Sequence, residues 1–167
     1  GTGEHSYVQV GHGGWDEGGT EPDASLSGDI SVTAGDGIVF EGNGLWAYAQ
    51  LGHGGMGSTG PKSGDMTVEG QFVEFMSGTG DDSYAQLGHG GLDADGTKSG
   101  LIDVIGSGED GNGEEPNGNG DGGIEEGLSI LFAGDASYAQ LGHGGAGSEG
   151  DISGDVVIDS LIAVDTL

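Results

Sequence analysis

The sequence predicts an all-β chain wound as a parallel β-solenoid, with three strands in each 36-residue repeat. Three observations lead to this fold. An octapeptide of the form Tyr-x-Gln-x-Gly-His-Gly-Gly occurs four times. The runs around it alternate apolar and polar residues over a few positions, the period of a strand. Glycine supplies 42 of the 167 residues. It falls at fixed places in the repeat, which marks turns that need positive φ rather than a low-complexity chain.

The first block of the repeat, A, runs from Tyr7 to Gly14 and returns at Tyr48–Gly55, Tyr84–Gly91 and Tyr138–Gly145; the last three copies are identical. A second block, B, follows each copy, at Ser27–Val32, Ser63–Val68, Ser99–Val104 and Ser153–Ile158. A looser apolar block, C, comes third, at Ile38–Phe40, Phe72–Met76, Leu128–Phe132 and Leu161–Val164.

The spacing fixes the period. His53 to Asp65, His89 to Leu101 and His143 to Asp155 each span 12 residues, while Asp29 to His53 and Asp65 to His89 each span 24. His12 to Asp29 is longer by five residues and Leu101 to His143 by eighteen, so the period of 36 carries two insertions. The chain then reads as one domain, 1–167, of four repeats at about 1–41, 42–77, 78–131 and 132–167. The longer insertion, 106–123, is acidic and glycine-rich with almost nothing apolar, and is expected to be a surface loop.

In block B, Ile30 and Val32 alternate with Asp29 and Ser31; in block A, Ala49 and Leu51 alternate with Tyr48 and Gln50. Strands this short need neighbours. Stacked in register at about 4.8 Å, each would pair with its counterpart one repeat away, and identical residues would form ladders. Two registers satisfy the spacing. The repeat could form one three-sided rung, or two rungs of 18 residues that would set Met66 above Tyr48. Three distinct blocks suit three distinct faces, which favours the single rung. Helix is opposed throughout by the glycine content and by the lack of an apolar 3.6-residue stripe.

Charge excludes several functions. Twenty-nine acidic residues face two lysines and no arginine, a formal net charge of −27. Nucleic acid and anionic membrane surfaces both need clustered cations, and neither is an expected partner. No segment is apolar enough to span a membrane; the C-terminal apolar stretch is interrupted by Asp159, Ser160 and Asp165. There is no cysteine and no Asn-x-Ser/Thr sequon.

Several residue sets could carry chemistry. His12, His53, His89 and His143 could form a metal-binding or pH-sensing ladder. The favoured reading is a ring that caps a turn, because the neighbouring Gly, Gln and Tyr are poor metal ligands. Tyr7, Tyr48, Tyr84 and Tyr138, with Gln9, Gln50, Gln86 and Gln140, could line a sugar-binding face flanked by Trp15 and Trp46; a stacked structural ladder is favoured over it. His5 stands outside the pattern. Asp81, Asp82, Asp93 and Asp95, and also Glu109 and Asp110, are candidate calcium ligands, set against a simply solvated acidic surface. No other cofactor is expected.

Enzymatic readings are weak. Carboxylate pairs abound by composition alone, and no nucleophile elbow, phosphate loop or dinucleotide fingerprint occurs. Lys62 and Lys98 occupy the same place in consecutive repeats and read as a surface position rather than a catalytic one.

The combination of Tyr48–Gly55 with Ser27–Gly35, Ser-Gly-Asp-Ile-Ser-Val-Thr-Ala-Gly, resembles the repeats of large secreted bacterial adhesins of the filamentous-haemagglutinin type. The resemblance covers all four copies apart from the insertions. It implies a right-handed parallel β-helix, secretion, and attachment at a cell surface or matrix. It supplies no catalytic residue. The chain departs from that pattern in being short and unusually acidic, as a piece of a longer array or a small assembling subunit would be. The expected function is therefore an extracellular structural or adhesive protein. The alternatives are a carbohydrate-binding module and, less favoured, a glycan-degrading enzyme. Block A at the start and block C at the end lack polar caps, so Tyr7, Val8, Leu161, Ile162 and Val164 are expected to join copies head to tail in a filament.

Overall fold

The computed structural model describes residues 3–15, 24–106, 127–131 and 137–159. These residues form fifteen strands and no helix. The strands group into four sheets, all parallel, and each repeat copy contributes one strand to each sheet where it is described. Block A supplies β1 (Tyr7–Val10), β5 (Tyr48–Leu51), β9 (Tyr84–Leu87) and β13 (Tyr138–Leu141), in that order across the sheet.

Block B supplies two sheets, not one. Its opening serine, with the residue before it, gives the two-residue strands β2 (Leu26–Ser27), β6 (Lys62–Ser63), β10 (Lys98–Ser99) and β14 (Ile152–Ser153). Its second half gives β3 (Ile30–Thr33), β7 (Met66–Gly70), β11 (Ile102–Gly106) and β15 (Val156–Asp159). The expected three strands per repeat are thus four. The cause is the glycine inside the block: at Gly64 φ is +145°, and a Cβ there would run into the Gly28 carbonyl of the preceding copy. The chain turns at that glycine, so the residues on either side pair in different sheets.

Block C supplies β4 (Ile38–Gly42), β8 (Phe72–Ser77) and β12 (Gly127–Leu131). Its fourth expected strand, Leu161–Val164, lies outside the described residues, as does the insertion from 107 onward. Gly106, where that loop was expected to begin, closes β11 by pairing with Gly70.

Register decides between the two rung models. Tyr48 pairs with Tyr7 on one side and Tyr84 on the other, whereas Met66 pairs with Ile30 and Ile102. One full repeat therefore separates neighbouring strands, and the 18-residue alternative is overturned.

The core collects one face of three sheets. Ala49, Leu51, Ala85 and Leu87 meet Met66, Val68, Ile102 and Val104 and the block C residues Val73 and Phe75. In β7 the alternation is as the sequence predicts: Met66 and Val68 are buried while Glu69 is exposed. Phe40 stacks on Phe75 at 4.9 Å between ring centroids. Each such fully buried side chain contributes about 1.5–3 kcal/mol over its exposed state.

Candidate functional site: the ladders that join one copy to the next

β5 and β9 break the alternation, because all four residues of each are buried. Ala49 and Leu51 enter the main core. On the opposite face Tyr48 and Tyr84 form a second cluster with Met56, with Trp15, Leu92 and Tyr138 packed against it. The turn after Gly-His-Gly-Gly brings Met56 over the tyrosines. Gly52 permits the close approach of copies at this turn: its φ is +147°, and a Cβ would collide with the Gly88 carbonyl of the next copy.

The four tyrosines stack with centroids 4.9, 4.7 and 5.0 Å apart and planes within 6° of parallel. Tyr48 and Tyr84 are fully buried. Burial pushes the phenols of Tyr48, Tyr84 and Tyr138 well above their ordinary pKa, so they stay neutral. Tyr84 Oη donates to Gln50 Oε1 at 3.4 Å. The hydroxyls of Tyr48 and Tyr138 sit against the backbone of Met56 and Ala146 without a hydrogen bond of good geometry.

The glutamines reach across copies. Gln9 Nε2 donates to the Gly54 and Gly52 carbonyls at 2.9 and 3.2 Å, Gln50 Nε2 to Gly90 and Gly88 at 2.7 and 3.2 Å, and Gln86 Nε2 to Gly144 and Gly142 at 2.6 and 3.2 Å. These carbonyls belong to the Gly-His-Gly turn of the following copy. Those of Gly54, Gly90 and Gly144 also accept a backbone N–H, from Gly14, Gly55 and Gly91, so the amides add a second bond between copies. With Gln50, Gln86 and two tyrosines buried, the Tyr–Gln set presents no face to a sugar in the two central copies.

The histidines form the third ladder, with centroids 5.0, 5.0 and 4.9 Å apart. The backbone N–H groups of His12, His53 and His89 donate to Nδ1 of the next ring, at 3.0, 3.0 and 3.1 Å. An N–H can only donate, so Nδ1 is the acceptor and Nε2 carries the hydrogen. Nε2 then donates backwards, from His53 to Gly28 O at 2.8 Å, His89 to Gly64 O at 3.0 Å and His143 to Gly100 O at 3.1 Å. Both nitrogens of these three rings are occupied, which leaves no lone pair for a metal. Burial pushes the His89 imidazole down to about 4, against a weaker upward pull from the Gly64 carbonyl; His143 is lowered by burial too.

The lysines correct the sequence reading. Lys62 and Lys98, expected at the surface, are fully buried. Lys62 Nζ donates to the carbonyls of Asp95, Gly60 and Ser58 at 2.7, 2.8 and 3.3 Å. Lys98 Nζ donates to Ala94, Glu149 and Gly96 at 2.7, 2.7 and 2.9 Å. Each ammonium thus uses its three hydrogens to tie its own turn to the next copy. Burial lowers the Lys98 pKa, opposed by Asp95. The signal was present in the register: the equivalent positions are Leu26 and Ile152, an apolar alternative that marks an inward place.

The carboxylates do not converge. Asp82 Oδ2 accepts from Trp46 Nε1 at 2.8 Å, and Asp95 Oδ1 accepts from Glu149 N at 3.3 Å. The Asp81 carbonyl accepts from Trp46 N, and Asp93 N donates to the Ala146 carbonyl. Among the described residues no group of three metal-ligating side chains comes together. Glu109 and Asp110 lie outside them. A carboxylate ladder missed in the sequence lies elsewhere: Asp29 Oδ1 accepts from Asp65 N at 3.0 Å and Asp65 Oδ1 from Leu101 N at 2.8 Å.

His5, set aside in the sequence, stacks on Trp15 at 4.2 Å and meets Trp46 edge-on at 4.7 Å. Of the expected assembly residues, Tyr7 and Val8 are exposed, while Leu161, Ile162 and Val164 lie outside the described residues. Among the described residues no helix is long and apolar enough to cross a membrane. In comparisons with known proteins, no family model, curated protein or solved structure matches the chain.

Proposed function

We propose that this chain is an extracellular structural or adhesive repeat protein, its copies wound as a right-handed parallel β-solenoid. One observation carries the reading. The polar side chains weighed as candidate functional groups, Gln50, Gln86, His53 and His89, and the two lysines, Lys62 and Lys98, are buried and bonded to the backbone of neighbouring copies. The conspicuous chemistry of the repeat goes into holding copies together, as a load-carrying scaffold requires, and little remains to act on a substrate. Right-handed winding is supported by the strong preference of parallel strand crossovers for that hand. The acidic exterior suits solubility outside the cell, and the resemblance to secreted adhesins points the same way.

Electron microscopy together with incubation on polysaccharides tests the proposal. A thin rod that leaves polymer viscosity unchanged is expected. Depolymerisation of a glycan would assign the chain to the enzymes. Saturable binding of soluble oligosaccharides, read by quenching of Trp15 and Trp46, would assign it to the carbohydrate-binding modules.

A further inference from the structure

The ladders have a direction, and this gives the two edges of the sheets opposite chemistry. At every joint the earlier copy offers a histidine N–H and a glutamine amide, and the later copy offers a ring Nδ1 and two glycine carbonyls. In the last copy Gln140 Nε2 has no following turn among the described residues and folds back onto its own Gly142 and His143 carbonyls, at 3.3 and 3.1 Å. In the first copy His12 is exposed. Apolar side chains lie open at both edges: Tyr7, Val8 and Val10 on one, Ile152, Val156 and Val157 on the other.

We propose that the edge formed by β13, β14 and β15 accepts the β1, β2 and β3 edge of a second copy of this chain, in the same register as the three internal joints. The partner is fixed by the chemistry of the edges. His143 N–H donates to the second copy's His12 Nδ1, and that ring's Nε2 donates to Gly154 O. Gln140 turns outward to the second copy's Gly11 and Gly13 carbonyls, the places that Gly52 and Gly54 hold for Gln9. Tyr138 stacks on Tyr7. Each contact repeats one seen three times, so the joint needs no new surface. Because the two edges differ, the contact is heterologous, and because it repeats the strand-over-strand stacking of the internal joints it extends that stack in one direction, so the product is an open filament.

This inference deepens the structural reading above and rests on it. The register supplies its test, since the chain has no cysteine. Ser31 pairs with Thr67, Thr67 with Asp103, and Asp103 with Val157, so in the proposed joint Ser31 lies opposite Val157. Both residues are exposed. Molecules carrying Ser31→Cys, mixed with molecules carrying Val157→Cys, place two Cα atoms about 4.8 Å apart, within disulfide reach. Thr33→Cys with Val157→Cys is two residues out of register, about 8 Å, and beyond that reach. Under mild oxidation the first mixture should give cross-linked dimers and the second none.

A second variant blocks the joint from within. A Cβ at Gly142 meets only Gln140 Nε2, at 3.8 Å, whereas at Gly11, Gly52 and Gly88 it would strike the carbonyl of the next copy. Gly142→Ala should therefore sediment as a monomer at concentrations where the parent chain assembles; φ is +139° there, so alanine also strains the turn, and thermal melting of the monomer shows that it is folded despite that strain. Parent chains that stay monomeric at every concentration, or equal cross-linking of both cysteine pairs, would overturn the joint while leaving the structural reading in place.

Discussion

The third and fourth copies carry the same octapeptide, yet they live in different surroundings. Leu87 is fully buried between neighbours on both sides, while Leu141, the same residue in the same context, is only partly buried. Ile102 and Val104 are fully buried, but their partners Val156 and Ile158 are exposed. Tyr84 is buried and Tyr7 is 47% exposed. The difference shows that burial here is conferred by the adjoining copy and not by local sequence. Stability should accordingly build up as a sum over joints, strongest in the middle.

The sharpest way to break that comparison is to delete the same side chain in both places. Leu87→Ala should cost about 2–5 kcal/mol, and Leu141→Ala less than half as much. Urea denaturation of both variants measures this, and equal losses would show that position in the stack is irrelevant. Lys98→Met comes next. It keeps the buried stem but leaves three carbonyls without their donor, at about 1–3 kcal/mol. The last copy already holds Ile152 at that place, so Ile152→Met should be near neutral in the same assay.

Acid should act on the histidine joints. Burial holds His89 near 4 and lowers His143, whereas an unfolded imidazole titrates near 6.5. Between these values the unfolded chain binds protons that the folded chain refuses. The His89 contribution to stability is complete above about pH 6.5 and declines as pH falls toward 4, at about 1.4 kcal/mol per pH unit, and His143 acts in the same direction. Melting temperature followed from pH 7 to 5 should fall, and more steeply than in His89→Gln; parallel curves would remove His89 from the account. The smallest effect belongs to the outermost ring: Tyr7→Ala loses one stacking partner and about 0.5–1.5 kcal/mol.

The period and the existence of Tyr, Gln and His ladders were legible in the sequence, because they follow from counting and from alternation. The register was not, since the spacing fits one rung of 36 or two of 18 until Tyr48 is seen to pair with Tyr7 and Tyr84. Nor was the split of block B. Ser63-Gly-Asp-Met reads as one strand until Gly64 is known to take a positive φ. The burial of Tyr48 and Gln50 was hidden for another reason. Alternation tells which residues share a face, but not whether a turn such as the one carrying Met56 covers the second face. The lysines were misread because a charge in an acidic chain looks like surface. Comparing Lys62 and Lys98 with Leu26 and Ile152 would have placed them inside.

The connection between block B and block C varies more than any pairing it joins. One residue, Gln71, separates β7 from β8, while twenty residues, 107–126, separate β11 from β12. Yet Ile38 and Leu128 both pair with Val73, so β12 keeps the register of β4. Pairing with a counterpart, not distance along the chain, fixes where each strand lies. This corner is therefore a tolerant point of entry in the gene: it already takes connections of one and of twenty residues with the pairing unchanged, so a foreign segment of similar length placed there should leave the strands in register.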